Sequence, residues 1–267
     1  MNMPNGGQAP GRLPDGFVWG VSTASYQIEG AESEDGRGPS NWDAFTRQPG
    51  RIANGDTGAE ACDHYHRYAE DVALMKKIGV GAYRFSVAWS RVLPEGKGDA
   101  NEKGLAFYDR LIDALLAAGV EPWLCLHHWD LPQALADEGG WLNRDIAGWF
   151  ADYAGLMANR YGDRVRRFAT FNEPAVFTLY GYGFNWHSPG MVDPRALHRA
   201  TGRPRGADTA DRLDHRAHLR GDLDQGLDGR DALRYGQPRL GTQASSALGQ
   251  GGRAQVRPSP SRSPQGE

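Results

Sequence analysis

Two periodicities alternate along the chain. Val165-Arg166-Arg167-Phe168-Ala169-Thr170-Phe171 is a short run rich in β-branched and aromatic residues, which predicts a buried strand ending at Asn172-Glu173-Pro174. Ala82 to Trp89 alternates polar and apolar positions, Val120 to Trp129 is a third apolar run, and Phe17 to Ala24 is a strand of small residues. Between them the spacing changes to three and four. Tyr65, Tyr68, Val72, Met75 and Ile78 predict a helix over Asp63 to Ile78, Gly104 to Ala118 is amphipathic, and Ile146, Trp149, Phe150, Tyr153, Leu156 and Met157 mark a helix over Asp145 to Tyr161. Gly79 and Gly119 close the first two as C-terminal glycines. Strand, helix, strand, helix, strand, helix, strand is the order of an α/β fold built on a parallel sheet.

The polar residues worth attention stand where the strands end. Pro174 has no N–H and biases Glu173 away from helical dihedrals, so the ladder stops and the acid projects into the loop region. In an α/β barrel that rim carries the chemistry. Glu173 is therefore either a proton donor, which needs a rigid and partly desolvated mount, or a surface acid closing a strand. Gln27, His128 and Asn172 also fall just past strand ends or near them, and such recurrence on one rim favours a site. Arg84 sits inside a strand, where a guanidinium requires an anionic partner; a structural ion pair and a site carboxylate are both open. The loop from Ser33 to Asp56 holds Trp42-Asp43-Ala44-Phe45, the content of a packed functional loop. No metal is expected. His127 and His128 are neighbours on a strand and face opposite sides, while His64 and His66 are two apart on a helix.

Composition divides the chain. All eight Trp and all nine Phe precede residue 187, whereas residues 201–267 contain no Trp, Phe, Ile, Met or Cys and have Tyr235 as their single aromatic. That suggests a flexible start over 1–12, a folded domain over 13–200, and a disordered low-complexity segment over 201–267. Net charge is -3, and the last segment, with eleven Arg against seven Asp and one Glu, carries +3, which leaves -6 for the rest. A mildly acidic body with intermixed Arg and Asp beyond it argues against nucleic-acid binding. Cys62 and Cys125 lack metal or redox spacing and read as free thiols of a reducing compartment. With no signal-peptide core and no long apolar run, a soluble cytoplasmic protein without membrane contact is expected.

Taken together these stretches resemble the family 1 glycoside hydrolases, the β-glucosidases and their relatives. The resemblance rests on Phe17 to Ala31, Tyr83-Arg84-Phe85-Ser86, Leu126-His127-His128-Trp129-Asp130-Leu131-Pro132, Gly139-Gly140-Trp141 and Thr170-Phe171-Asn172-Glu173-Pro174, and covers about Leu13 to Gly190. It implies a (β/α)₈ TIM barrel, of which about the first four βα units are here. It also implies retaining hydrolysis of terminal β-D-glucosyl residues from a small-molecule β-glycoside, with no cofactor. Glu173 resembles the general acid/base. Asn172 matches the residue that binds the sugar 2-hydroxyl, Gln27 and His128 match binders of other sugar hydroxyls, with Trp129 beside them, and Arg84 matches the arginine that holds the nucleophile carboxylate.

The likeness has a limit. A retaining glycosidase needs a second carboxylate about 5–5.5 Å from the first, and in this family it lies in a late Ile/Thr-Glu-Asn-Gly motif. That motif is absent, and the one glutamate after Glu173 is Glu267. A truncated or out-of-frame β-glucosidase gene is therefore expected, with an unclosed barrel edge open to self-association. A catalytically inactive sugar-binding or interaction fragment is the alternative. An inverting enzyme would need an Asp across a water from Glu173, and none is placed for it.

Overall fold

A computed structural model describes residues 13–207, with side chains as far as residue 202. Four strands, β1 (Gly20–Ser22), β2 (Ala82–Ser86), β3 (Glu121–His127) and β4 (Arg167–Phe171), pair in parallel in the order β1-β2-β3-β4. In register, Ser22 lies beside Arg84, Arg84 beside Trp123, and Cys125 beside Ala169. The connections carry α1 (Ser25–Ile28), α2 (Asn41–Thr46), α3 (His64–Ile78), α4 (Trp89–Val92), α5 (Glu102–Ala118), α6 (Gln133–Asp137) and α7 (Ile146–Tyr161). After β4 come α8 (Pro174–Thr178), a π-helical turn (Leu179–Gly183) and α9 (Pro194–Ala207). This is the first half of a (β/α)₈ barrel.

The core lies between sheet and helices. Tyr83 and Phe85 of β2 and Leu124 and Leu126 of β3 are buried with Leu111, Ile112 and Leu115 of α5 and Phe150, Tyr153 and Met157 of α7. Arg84, between Tyr83 and Phe85, takes the other face by simple alternation. Two buried tyrosine hydroxyls are satisfied: Tyr153 donates to the Leu126 carbonyl at 2.9 Å and Tyr161 to that of Leu105 at 2.9 Å. Gly79 (φ 77°) and Gly119 (φ 76°) end α3 and α5 in the left-handed conformation a Cβ disfavours.

Several predicted boundaries move, each for a local reason. The strand read over Phe17 to Ala24 is ordered as a strand only over Gly20–Ser22, and Phe17, Val18 and Trp19 are 50–63% exposed. The strand read to Trp89 stops at Ser86, because the Ala88 N–H donates to Tyr108 Oη (2.8 Å) and Trp89 opens α4. β3 ends at His127, since Trp129 turns the chain at φ 82°. α5 begins two residues early, where Asn101 caps it by accepting from the Lys103 N–H. Ile78, expected on the apolar face of α3, is 60% exposed.

α8, the π-helical turn and α9 are elements that periodicity did not show, although Pro174 and Pro194 stand at the first helical positions that favour proline. α9 passes the expected boundary at residue 200, because Ala196 and Ala200 are small enough to be buried among the core residues. The remainder of the expected segment, 208–267, and residues 1–12 lie outside the described residues.

Candidate active site

Asn172 is the node of the rim. The residue follows β4 directly, and its N–H still donates to the His127 carbonyl at 2.9 Å, which fixes its backbone to the end of β3. Its side-chain oxygen accepts from Arg84 Nη2 at 3.1 Å. Its amide nitrogen lies 3.0 Å from His128 Nε2 and 3.4 Å from Glu173 Oε2. The Trp129 indole N–H donates to the Asn172 carbonyl at 2.9 Å. Four predicted residues from three strands thus converge on the fifth.

His128 is neutral in this arrangement. Burial, followed by the neighbouring Arg84 charge, lowers its pKa to about 4. A neutral ring with its proton on Nδ1 can accept the Asn172 amide proton at Nε2, which fixes both the imidazole and the carboxamide orientation. His127 takes the opposite role. It is buried among the rings of Trp141, Phe171 and Phe177, and burial lowers its pKa to about 3, so it is a neutral core residue.

Gln27 joins from the other side of a cavity of about 310 Å³, whose walls include Tyr26, Gln27, Trp42, Asp56, His128 and Trp129. It lies on α1, and among the described residues no hydrogen bond engages its carboxamide. Trp42 comes from the loop predicted to pack. Ser40 and Asp43 form a reciprocal cap there, with Ser40 N–H donating to Asp43 Oδ2 at 2.6 Å and Asp43 N–H to Ser40 Oγ at 3.3 Å, and so nucleate α2. Trp42 then stacks on Trp129 with ring centroids 6.4 Å apart, and His187 closes on Trp129 at 4.9 Å. His187 was not singled out in the sequence. Pro189, two residues on, gave no reason to place it beside Trp129.

Two expectations are corrected. Arg84 is not fully buried and forms no ion pair among the described residues; its partners there are the neutral groups Asn172 Oδ1, Ser22 Oγ (3.4 Å) and Cys125 Sγ (3.4 Å). The fully buried arginine is Arg91, which donates to Glu29 Oε2 at 2.9 Å while Tyr108 Oη donates to Glu29 Oε1 at 2.5 Å. Glu29, just past the end of α1, is its counterion. Glu173 is exposed rather than partly desolvated, and it takes the left-handed region (φ 45°, ψ 62°) rather than the extended one that a following proline favours. The positive φ lets the residue act as the boundary between β4 and α8 within one step.

Among the described residues no cluster of three or more His, Cys, Asp or Glu is arranged to hold a metal ion. No helix among them is long and apolar enough to cross a membrane. The arrangement offers one cation and several neutral donors and acceptors around one carboxylate, beside an aromatic wall. Such a surface suits a polyhydroxylated ring whose C–H face can lie on an indole.

The model of glycosyl hydrolase family 1 matches residues 9–202. Beta-glucosidase A of Thermotoga maritima is 52% identical over 189 residues, which are 71% of this chain and 42% of that protein. Thermostable beta-glucosidase B of Thermobispora bispora is 59% identical over 191 residues, 70% of this chain and 39% of that one. The solved structure of the Thermotoga maritima beta-glucosidase in complex with deoxynojirimycin superposes with a TM-score of 0.72 at 51% identity, covering 73% of this chain and 44% of that one. The chain thus spans about two fifths of the length of the relatives it matches.

Proposed function

The chain belongs to glycosyl hydrolase family 1, and from that membership we propose that it carries the acid/base half of a retaining β-glucosidase site acting on terminal β-D-glucosyl residues. The observation that carries this is the Asn172 node, which ties Arg84, His128, Trp129 and Glu173 into one rim beside the Gln27 cavity. Glu173 protonates the glycosidic oxygen as the bond to the anomeric carbon breaks, and later removes a proton from the water that releases the sugar. Asn172, held in one amide orientation, binds the 2-hydroxyl, a contact that strengthens as positive charge develops on the ring. Gln27 and His128 take further hydroxyls, and Trp129 and Trp42 supply the apolar wall. Arg84 is the anchor for the attacking carboxylate, which must come from beyond the described residues.

A second reading, a sugar-binding chain without catalysis, is favoured by the absence of an ion pair on Arg84 among those residues and by the exposure of Glu173. Hydrolysis of 4-nitrophenyl β-glucoside by the purified chain, with Glu173→Gln beside it, separates the two. Turnover that disappears in the variant means catalysis. No turnover together with calorimetric binding of deoxynojirimycin means a binding half-site, and neither turnover nor binding overturns both.

The exposed Phe17, Val18 and Trp19, and Phe168 on β4, support self-association through the unpaired sides of the sheet. A monodisperse monomer in size-exclusion chromatography is the contrary result. The free thiols of Cys62, exposed, and Cys125, buried, support a reducing cytoplasmic setting.

A further inference from the structure

α1 has only four residues and no side-chain N-cap, so it has no stability of its own and its position is imposed from outside. Tyr26 Oη ties the helix to the loop after it, donating to the Trp42 carbonyl at 3.2 Å and lying 2.9 Å from Thr46 Oγ1, and buried polar groups tie it to the strands. Ser25 N–H donates to Ser86 Oγ at 2.8 Å, Ser86 Oγ donates to Ser25 Oγ at 3.0 Å, and Ser25 Oγ donates to Asp130 Oδ2 at 2.6 Å. Ser25, Ser86 and Asp130 are 1–3% exposed. Two residues along α1 from Ser25 is Gln27, and one and two residues before Asp130 are Trp129 and His128.

The turn on the Asp130 side also needs holding. Trp129 has φ 82°, a left-handed conformation that a bulky residue adopts only when its surroundings impose it. One restraint is the Trp129 bond to the Asn172 carbonyl, and another is the pair of bonds between Leu131 and Asn41. Asp130 supplies the only one of these that reaches α1. Its second oxygen is buried without a partner among the described residues, a cost that packing alone would not select.

We infer that Asp130 is a positioning residue of the sugar site: through Ser25 its carboxyl fixes the turn of helix that carries Gln27 against the turn that carries His128 and Trp129. This rests on the reading of that rim as a sugar site. The two walls of the cavity come from β1 and β3, separated by the whole width of β2. A cavity that must present hydroxyl-binding groups from both walls at once depends on a tie of this kind.

The test measures deoxynojirimycin affinity by calorimetry for the full chain and for Ser25→Ala, Asp130→Ala, the double variant and Asp130→Asn. Leu115→Ala, in the core of α5, serves as a variant of lowered Tm away from the site. Each alanine variant is expected to lose about tenfold in affinity and the double variant no more than either. Asp130→Asn, which keeps an acceptor oxygen for Ser25, is expected to recover most of the loss, and Leu115→Ala to bind as the parent does. Additive losses, no recovery in Asp130→Asn, or an equal loss in Leu115→Ala overturns the inference. If the parent chain binds no deoxynojirimycin, the sugar-site reading fails, and amide hydrogen exchange decides the tie itself. Faster exchange in both 25–29 and 127–131 in Asp130→Ala, restored in Asp130→Asn, upholds it; a change confined to 127–131 overturns it.

Discussion

Arg84 of β2 and Asn172, which follows β4 directly, meet side chain to side chain at 3.1 Å although β3 lies between their strands. The guanidinium can only donate, so this contact forces the carboxamide oxygen of Asn172 toward Arg84 and its amide hydrogens toward His128 and Glu173. Asn172→Asp removes that polarity and places a carboxylate between an acceptor nitrogen and another carboxylate. Hydrogen bonds to charged groups contribute about 1.5–3 kcal/mol. Asn172→Ala is expected to weaken sugar binding by about ten- to a hundredfold, read by calorimetry, with Arg84→Met close behind.

The Arg91–Glu29 pair sets stability rather than binding. Both side chains are nearly inaccessible, and Arg91 also lies over the Tyr65 ring at 4.2 Å. Removing one partner strands a buried charge, at a cost of about 3–5 kcal/mol. Urea denaturation of Glu29→Gln is expected to show a loss of that size. Arg91→Met combined with Glu29→Leu is expected to lose less than either single change.

Stability has a predictable pH profile. His127 and His128 have folded pKa values lowered to about 3 and about 4, both chiefly by burial. Below the ordinary histidine value of 6.5 the unfolded chain takes up these two protons first, so stability falls as pH drops from about 6.5 toward 4. Asp130 acts in the opposite sense. Burial raises its pKa to about 7, with the nearby Glu29 charge adding and Ser25 and Arg37 opposing. Its folded form holds a proton that the unfolded form lacks between about pH 4 and 7, so its contribution is lost as pH rises through that window. Asp130→Asn is expected to steepen the fall on the acid side by about 1.4 kcal/mol per pH unit and to abolish the decline near pH 7. Unfolding midpoints measured from pH 4.5 to 8 for parent and variant give the difference directly.

Glu173 holds a left-handed conformation that costs a residue with a Cβ about 1–2 kcal/mol. Glu173→Gly relieves that strain, while the added freedom of the unfolded chain offsets part of the gain. The variant is expected to be as stable as the parent or up to about 1 kcal/mol more so, and to lose any hydrolysis. A destabilised Glu173→Gly would show that the carboxylate itself supports the fold.

Sequence alone determined the order of the four strands and of the three long helices α3, α5 and α7, because burial against one sheet imposes periods of two and of three to four on residues such as Tyr83, Phe85, Ile146, Phe150 and Tyr153. It also determined which residues stand at strand ends, since Pro174 and the polar residues Gln27, His128, Asn172 and Glu173 interrupt apolar runs. Partnership was decided only in three dimensions. Arg84 and Arg91 are the same residue type, yet one turns to Asn172 and the other is buried on Glu29, and no local pattern separates them. The neutral state of His128, the left-handed turns at Trp129 and Glu173, and the tie between Ser25 and Asp130, 105 positions apart, have the same origin. Each depends on which strands lie side by side, and that juxtaposition is a property of the packed sheet rather than of any one segment.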